Sequence, residues 1–179
     1  VTGDGDLAQL CRSMADQGRG DGGWLNHVRL GYNFRIDEMS AALGLSQLGR
    51  LEEIVEARAR VAGLYEDALG GLLDVVLPRV ARDVRMSWFV YVVRLADRFT
   101  REDRDRVLAR LREANIGCRD YFTPIHLQPY IVDALHTRRG QFPVTERVCD
   151  RTVALPFYPQ MAEREVARVA DALAKAVAR

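Results

Sequence analysis

Apolar residues recur at intervals of three and four along several stretches of the chain, and between them run shorter β-branched and aromatic segments. Leu7, Leu10, Cys11 and Met14 share one face and predict a short helix over 7–14. Asp37 is an N-cap candidate, with Ile36 before it as the hydrophobic staple residue. Beyond it Met39, Ala42, Leu43, Leu45, Leu48, Leu51, Ile54, Val55, Val61, Ala62, Leu64 and Tyr65 keep the helical period, and Gly70-Gly71 stops it. This pattern predicts one long helix of roughly 45–50 Å, an element expected to bend or to join two bodies. Gly44 and Gly49 lie within it, each at a cost of about 1 kcal/mol relative to alanine. They are explained either by close packing against another backbone or by simple tolerance.

From Leu72 the pattern changes. Asp74-Val75-Val76-Leu77-Pro78 reads as a short strand, and Met86 to Leu95 as a central strand. Thr100 starts a helix, with Asp103 placed for a capping box and Val107, Leu108 and Leu111 as its buried stripe. Asn115-Ile116-Gly117 ends it, Asn being able to adopt the left-handed conformation. Cys118 to Phe122 is expected to be extended, 123–130 to be a proline-bracketed loop, and Pro143 to Arg151 a short helix. Ala154 to Pro159 is a proline-limited extended segment. Ala162, Val166, Val169, Ala170, Leu173 and Val177 give a final amphipathic helix. The expected fold is mixed α+β within the α/β class, with a sheet covered on one face by helices.

Composition narrows the function classes. The 179 residues are 48% hydrophobic and 28% charged, as in a soluble globular protein, and a chain of this length can bury a sizeable core. The net charge of +1 gives no case for nucleic acid, which needs a clustered basic face. No apolar run reaches membrane-spanning length and no signal peptide opens the chain, so no membrane partner and a cytoplasmic location are expected. Cys11, Cys118 and Cys149 are odd in number and widely spaced, and His27, His126 and His136 stand in no metal-like spacing with them. Reduced thiols and no metal site follow. Gly18 to Gly23 carries four glycines, a composition that allows close approach of backbone to a ligand or partner. Taken alone, the residues contain no P-loop, no G-x-S-x-G and no H-E-x-x-H, so no catalytic residue is assigned within them.

Four motifs go further. Gly31-Tyr32-Asn33-Phe34-Arg35 resembles the G-Y-N-x-R segment of the DegT-type sugar aminotransferases, which depend on pyridoxal phosphate (PLP) and have the fold of the type I PLP enzymes. Ala42 to Leu51 is similar to that family's A-A-L-G-L-x-Q-L-x-R-L run. Tyr121 to Tyr130 resembles its Y-x-x-P-x-H-x-Q-P-Y loop, and Leu155-Pro156-Phe157-Tyr158-Pro159 its L-P-x-x-P before the last helix. Val1-Thr2-Gly3-Asp4 looks like the V-V-T-x-D that closes the large-domain sheet.

The resemblance implies that the chain is the C-terminal portion of such an enzyme. Residues 1–50 would end the PLP-binding large domain and carry the dimer-interface loop, and 51–179 would form the linking helix and a small domain with a mainly antiparallel sheet. Family members hold PLP through a lysine amine, because an amine must condense with the aldehyde. The single lysine here, Lys175, lies on the polar terminal helix and does not suit that role. The lysine, the acid at the pyridine nitrogen and the group over the ring would all precede Val1.

The resemblance further implies a homodimer with composite active sites, a nucleotide-sugar substrate and an amino donor such as glutamate. Asn33 is the candidate that reaches the PLP phosphate of the partner subunit, as an amide that donates without adding charge. Its alternative is a turn residue. Arg35 suits the phosphate or an anionic substrate, or else pairs with Asp37 or Glu38. Tyr32 and His27 are candidates for the same wall, and Tyr121 and His126 for the substrate side. His126 would hydrogen-bond a sugar hydroxyl or a diphosphate, or else serve the loop's structure. Trp24 and Trp88 are read as packing residues. The same fold type hosts PLP sugar dehydratases and a synthase of an aromatic amino acid, and a non-catalytic dimerisation or regulatory module is the further alternative.

Overall fold

The computed structural model describes residues 2–22 and 26–178. The chain divides into two compact units, Val1–Leu51 and Glu52–Arg179.

In the first unit, helix α1 (Gly5–Ala15) starts where the Asp4 carboxylate accepts the Leu7 amide at 3.0 Å. Residues 2–4 therefore serve a helix N-terminus and do not form the strand end expected from the sequence; Val1 lies outside the described residues. After α1 the backbone turns through left-handed Gln17 (φ 61°) and Gly18 (φ 72°). Segment 26–34 then lies against this turn through main-chain bonds: Tyr32 N to Met14 O at 2.7 Å, Gln17 N to Tyr32 O at 2.8 Å, and Phe34 N to Ala15 O at 2.8 Å. The approach is close enough to require glycine at Gly31, where a Cβ would sit 2.1 Å from Gly18 N. Ser13, buried, donates to Arg19 O at 2.6 Å and accepts from the Arg29 guanidinium.

Helix α2 (Glu38–Leu48) begins as its N-cap predicts, with the Asp37 carboxylate accepting from Ser40 N at 2.9 Å and from Ser40 Oγ at 2.7 Å. Those bonds hold the Asp37 carboxyl below its usual range. The predicted single long helix is broken. Gly49 and Arg50 form a turn, and α3 (Leu51–Leu69) starts afresh. Period alone did not reveal this, since apolar spacing continues across the break, but Gly49 is the residue least committed to helix there.

The second unit holds the core. Strands β1 (Val75–Val76), β2 (Tyr91–Leu95) and β3 (Thr152–Leu155) form an antiparallel sheet in the order β1-β2-β3, with Val75 opposite Leu95 and Val93 opposite Val153. The strand expected from Met86 begins only at Tyr91, because Trp88 has a positive φ of 40°, incompatible with a regular strand. Tyr91, Val93 and Leu95 are buried, as period 2 requires of a strand with one face on a core. Helix α4 (Arg101–Glu113) carries the foreseen capping box: Asp103 N donates to Thr100 Oγ1 at 3.2 Å, and Thr100 N donates to Asp103 Oδ2 at 2.8 Å. Asn115 takes the left-handed conformation after it, at φ 56°. Helix α5 (Pro129–Leu135), not foreseen from the sequence, follows a short 3-10 turn at Ile125–Leu127. Helices α6 (Pro143–Cys149) and α7 (Glu163–Val177) complete the unit. Val107, Leu108 and Leu111 of α4 and Val166, Val169, Ala170 and Leu173 of α7 pack into one core with the sheet and with Val61, Tyr65 and Leu69 of α3. Arg104 is also buried, its guanidinium donating to the carbonyls of Cys149 at 3.1 Å and Thr152 at 3.4 Å.

Candidate functional site

In the first unit the G-Y-N segment presents its side chains outward while its backbone is tied to the end of α1. Asn33 pairs with Asp16 through an antiparallel bridge, and its side chain is exposed. Arg35 Nε donates to Asn33 Oδ1 at 3.3 Å and lies 3.3 Å from Asp16 Oδ1. The carboxylate partner of Arg35 is thus Asp16 from the preceding turn, not Asp37 or Glu38. With Asn33 Oδ1 and Arg35 Nε engaged, the Asn33 amide nitrogen and the terminal guanidinium nitrogens remain as outward donors. The Tyr32 ring stacks on Phe34 with centroids 5.1 Å apart and 12° between planes. His27 is exposed; its Nδ1 contacts Gln17 O at 2.8 Å and its backbone bridges Arg19. The structure therefore brings His27, Tyr32, Asn33 and Arg35 onto one ladder against the 16–19 turn. Gly23, Trp24 and Leu25 lie outside the described residues.

In the second unit Tyr121 is half-buried. Its carbonyl accepts from Thr152 Oγ1 at 3.0 Å, and its ring meets Phe122 edge-on at 5.1 Å. His126 is buried in the 3-10 turn. Its Nε2 lies 2.9 Å from Glu146 Oε1, and its ring packs on Phe142 at 4.7 Å. The Glu146 carboxylate also accepts from Gly140 N at 2.8 Å and Phe142 N at 3.2 Å. Burial disfavours the Glu146 charge, but those two amides and the His126 ring outweigh it and hold its carboxyl below the usual range. Sequence reasoning missed Glu146. An acid in the first turn of a helix that starts with proline is ordinary, and nothing in the spacing couples it to a histidine twenty positions earlier.

The remaining candidates have structural surroundings. Trp88 stacks with Tyr91 at 5.5 Å and packs toward Phe157, as a packing residue would. Lys175 is exposed in the last turn of α7, where a cation favours the helix C-terminus. Cys11 is exposed, Cys118 buried and Cys149 half-buried, all unpaired; burial pushes the Cys118 thiol up. Among the described residues no group of acids, cysteines and histidines is arranged to hold a metal, and no helix is long and apolar enough to cross a membrane.

The first unit carries the G-Y-N segment and the second a sheet of three antiparallel strands packed by helices, and comparison with known proteins places both in one family. Residues 1–174 match the model of the DegT/DnrJ/EryC1/StrS aminotransferase family, and the chain belongs to that family. It is 32% identical to GDP-perosamine synthase of Caulobacter vibrioides over 97% of this chain and 46% of the relative. It is 30% identical to the spore coat polysaccharide biosynthesis protein SpsC of Bacillus subtilis, over 97% of this chain and 47% of the relative. Among solved structures, S. venezuelae DesV superposes with a TM-score of 0.85 at 29% identity, covering all of this chain and 46% of DesV. The chain thus spans about half the length of the curated relatives it matches.

Proposed function

We propose that the full-length protein is a PLP-dependent aminotransferase that moves an amino group, from a donor such as glutamate, to a nucleotide-linked keto-sugar. The chain described here is then its C-terminal portion, and the protein works in the cytoplasm. The observation that carries this reading is the family match along residues 1–174, joined by relatives whose names specify nucleotide amino-sugar synthesis, such as GDP-perosamine synthase.

The first unit's residues fit the phosphate end of PLP. Asn33 keeps amide donors free beside the Arg35 guanidinium, and both side chains are exposed. Nothing here fits the aldehyde end, since the single lysine is Lys175 on α7. When bound, PLP supplies the electron sink for amino transfer. This chain's part is to bind and orient: Asn33 and Arg35 on the phosphate, Tyr32 and His27 along the same wall, and Tyr121 and His126 on the substrate side. The ladder's outward face, together with the uncovered apolar residues of α2, supports a homodimer in which Asn33 serves the partner subunit's cofactor.

In the full-length enzyme, Asn33→Ala weakens PLP retention about tenfold, or ~1.4 kcal/mol. Equilibrium dialysis measures it, and unchanged affinity removes Asn33 from the site. Mixing Asn33→Ala subunits with subunits lacking the PLP lysine restores part of the activity, because a composite heterodimer keeps one intact site. A regulatory module is the second reading, favoured by 31% identity to a "Pleiotropic regulatory protein" of Geobacillus stearothermophilus. Absence of a reactive lysine from the complete reading frame would select it.

A further inference from the structure

His126 and Glu146 form a buried pair between the proline-bracketed loop and helix α6. Glu146 receives the amides of Gly140 and Phe142, so it gathers the 140–142 turn around itself. Thr137 Oγ1 donates to the His126 carbonyl at 2.6 Å, tying the start of the same connection to the proline-bracketed loop. Arg139 sits 3.8 Å from Glu146 Oε2 while paired with Asp150 at 2.8 Å. A carboxylate that already accepts two amides has no proton to give. The 2.9 Å contact therefore requires His126 Nε2 to donate. In the Nε2–H tautomer the lone pair lies on Nδ1. Nδ1 has no hydrogen-bond partner among the described residues.

We infer that Glu146 is a positioning residue: it fixes His126 in the Nε2–H tautomer and turns Nδ1, as an acceptor, toward a hydroxyl of the sugar-diphosphate part of the substrate. This rests on the nucleotide-sugar reading above and deepens it. A second-sphere carboxylate on a histidine sets tautomer and ring orientation together, which a purely apolar pocket cannot do.

The test has two arms, both in the full-length enzyme. In long-range 1H–15N spectra, with the His126 signals assigned from their loss in His126→Ala, wild-type His126 shows the Nε2–H tautomer and Glu146→Leu, which offers no acceptor, loses it. An Nδ1–H ring in the wild type, or an unchanged spectrum in the variant, overturns the proposal. In the second arm, UDP-N-acetylglucosamine and GDP-mannose serve as stable nucleotide-sugar probes in titration calorimetry. Glu146→Leu weakens the better probe about tenfold, and the same change in a His126→Ala background adds less than about twofold. Equal losses in both backgrounds show that Glu146 acts only through the 140–142 turn and overturn the proposal. If neither probe binds wild type, the nucleotide-sugar reading falls and takes the substrate end of the proposal with it, while the tautomer arm still decides the role of Glu146.

Discussion

The two units treat their apolar side chains in opposite ways. Every buried hydrophobic residue among those described lies between Val61 and Val177, in the second unit. In the first, Leu30 is 79% exposed and Met39 85%, and α2 buries no residue at all. The second unit builds a core from its own sequence, although Leu73 at 95% and Phe89 at 71% stay exposed on it. The first is held by backbone hydrogen bonds, helix caps and glycine contacts, and Leu30, Met39 and Leu45 stay exposed on it. Helix α2 forms from local capping and propensity without burying any of its side chains within the chain.

Removing one leucine from each unit separates the two. Leu173→Ala, at a fully buried site, costs about 2–5 kcal/mol in urea unfolding of this chain. Leu43→Ala, at a site 63% exposed, changes stability by no more than about 0.5 kcal/mol. Equal losses would show that α2 is already covered.

Alkaline titration probes the core alone. Burial, helped by Glu66, pushes the Tyr91 hydroxyl up from its ordinary value of 10.0 to about 12. A raised folded pKa means the stability is fully present below pH 10.0 and is lost as pH climbs to about 12. The loss reaches roughly 2–3 kcal/mol and is reduced in Tyr91→Phe. A Tyr91→Phe chain with the same alkaline midpoint would place the cause elsewhere.

A Cβ at Gly44 meets nothing within 4 Å, so Gly44→Ala stabilises α2 in this chain by about 1 kcal/mol, read by hydrogen exchange. In the full-length protein the same change becomes neutral or harmful if a neighbouring backbone packs there. A gain of equal size in both settings would leave Gly44 as merely tolerated.

Much of this was legible beforehand because it is local. Asp37 and Thr100 cap as their neighbours dictate, Asn115 closes α4 in the left-handed conformation, and the stripe Val107, Leu108 and Leu111 is buried as its spacing requires. The motif residues His27, Tyr32, Asn33 and Arg35 were named from order along the chain, and their assembly on one ladder followed from Gly18 and Gly31, whose roles depend on φ and on a 2.1 Å clearance no pattern displays. Tertiary structure alone decided the break at Gly49, the late start of β2 after Trp88, the choice of Asp16 for Arg35, and the pairing of His126 with Glu146. The physical reason is range. Caps, turns and amphipathic faces are fixed by neighbours within a helical turn, whereas a buried charge finds its partner only once distant loops have been brought within 3 Å by the packing of everything between them.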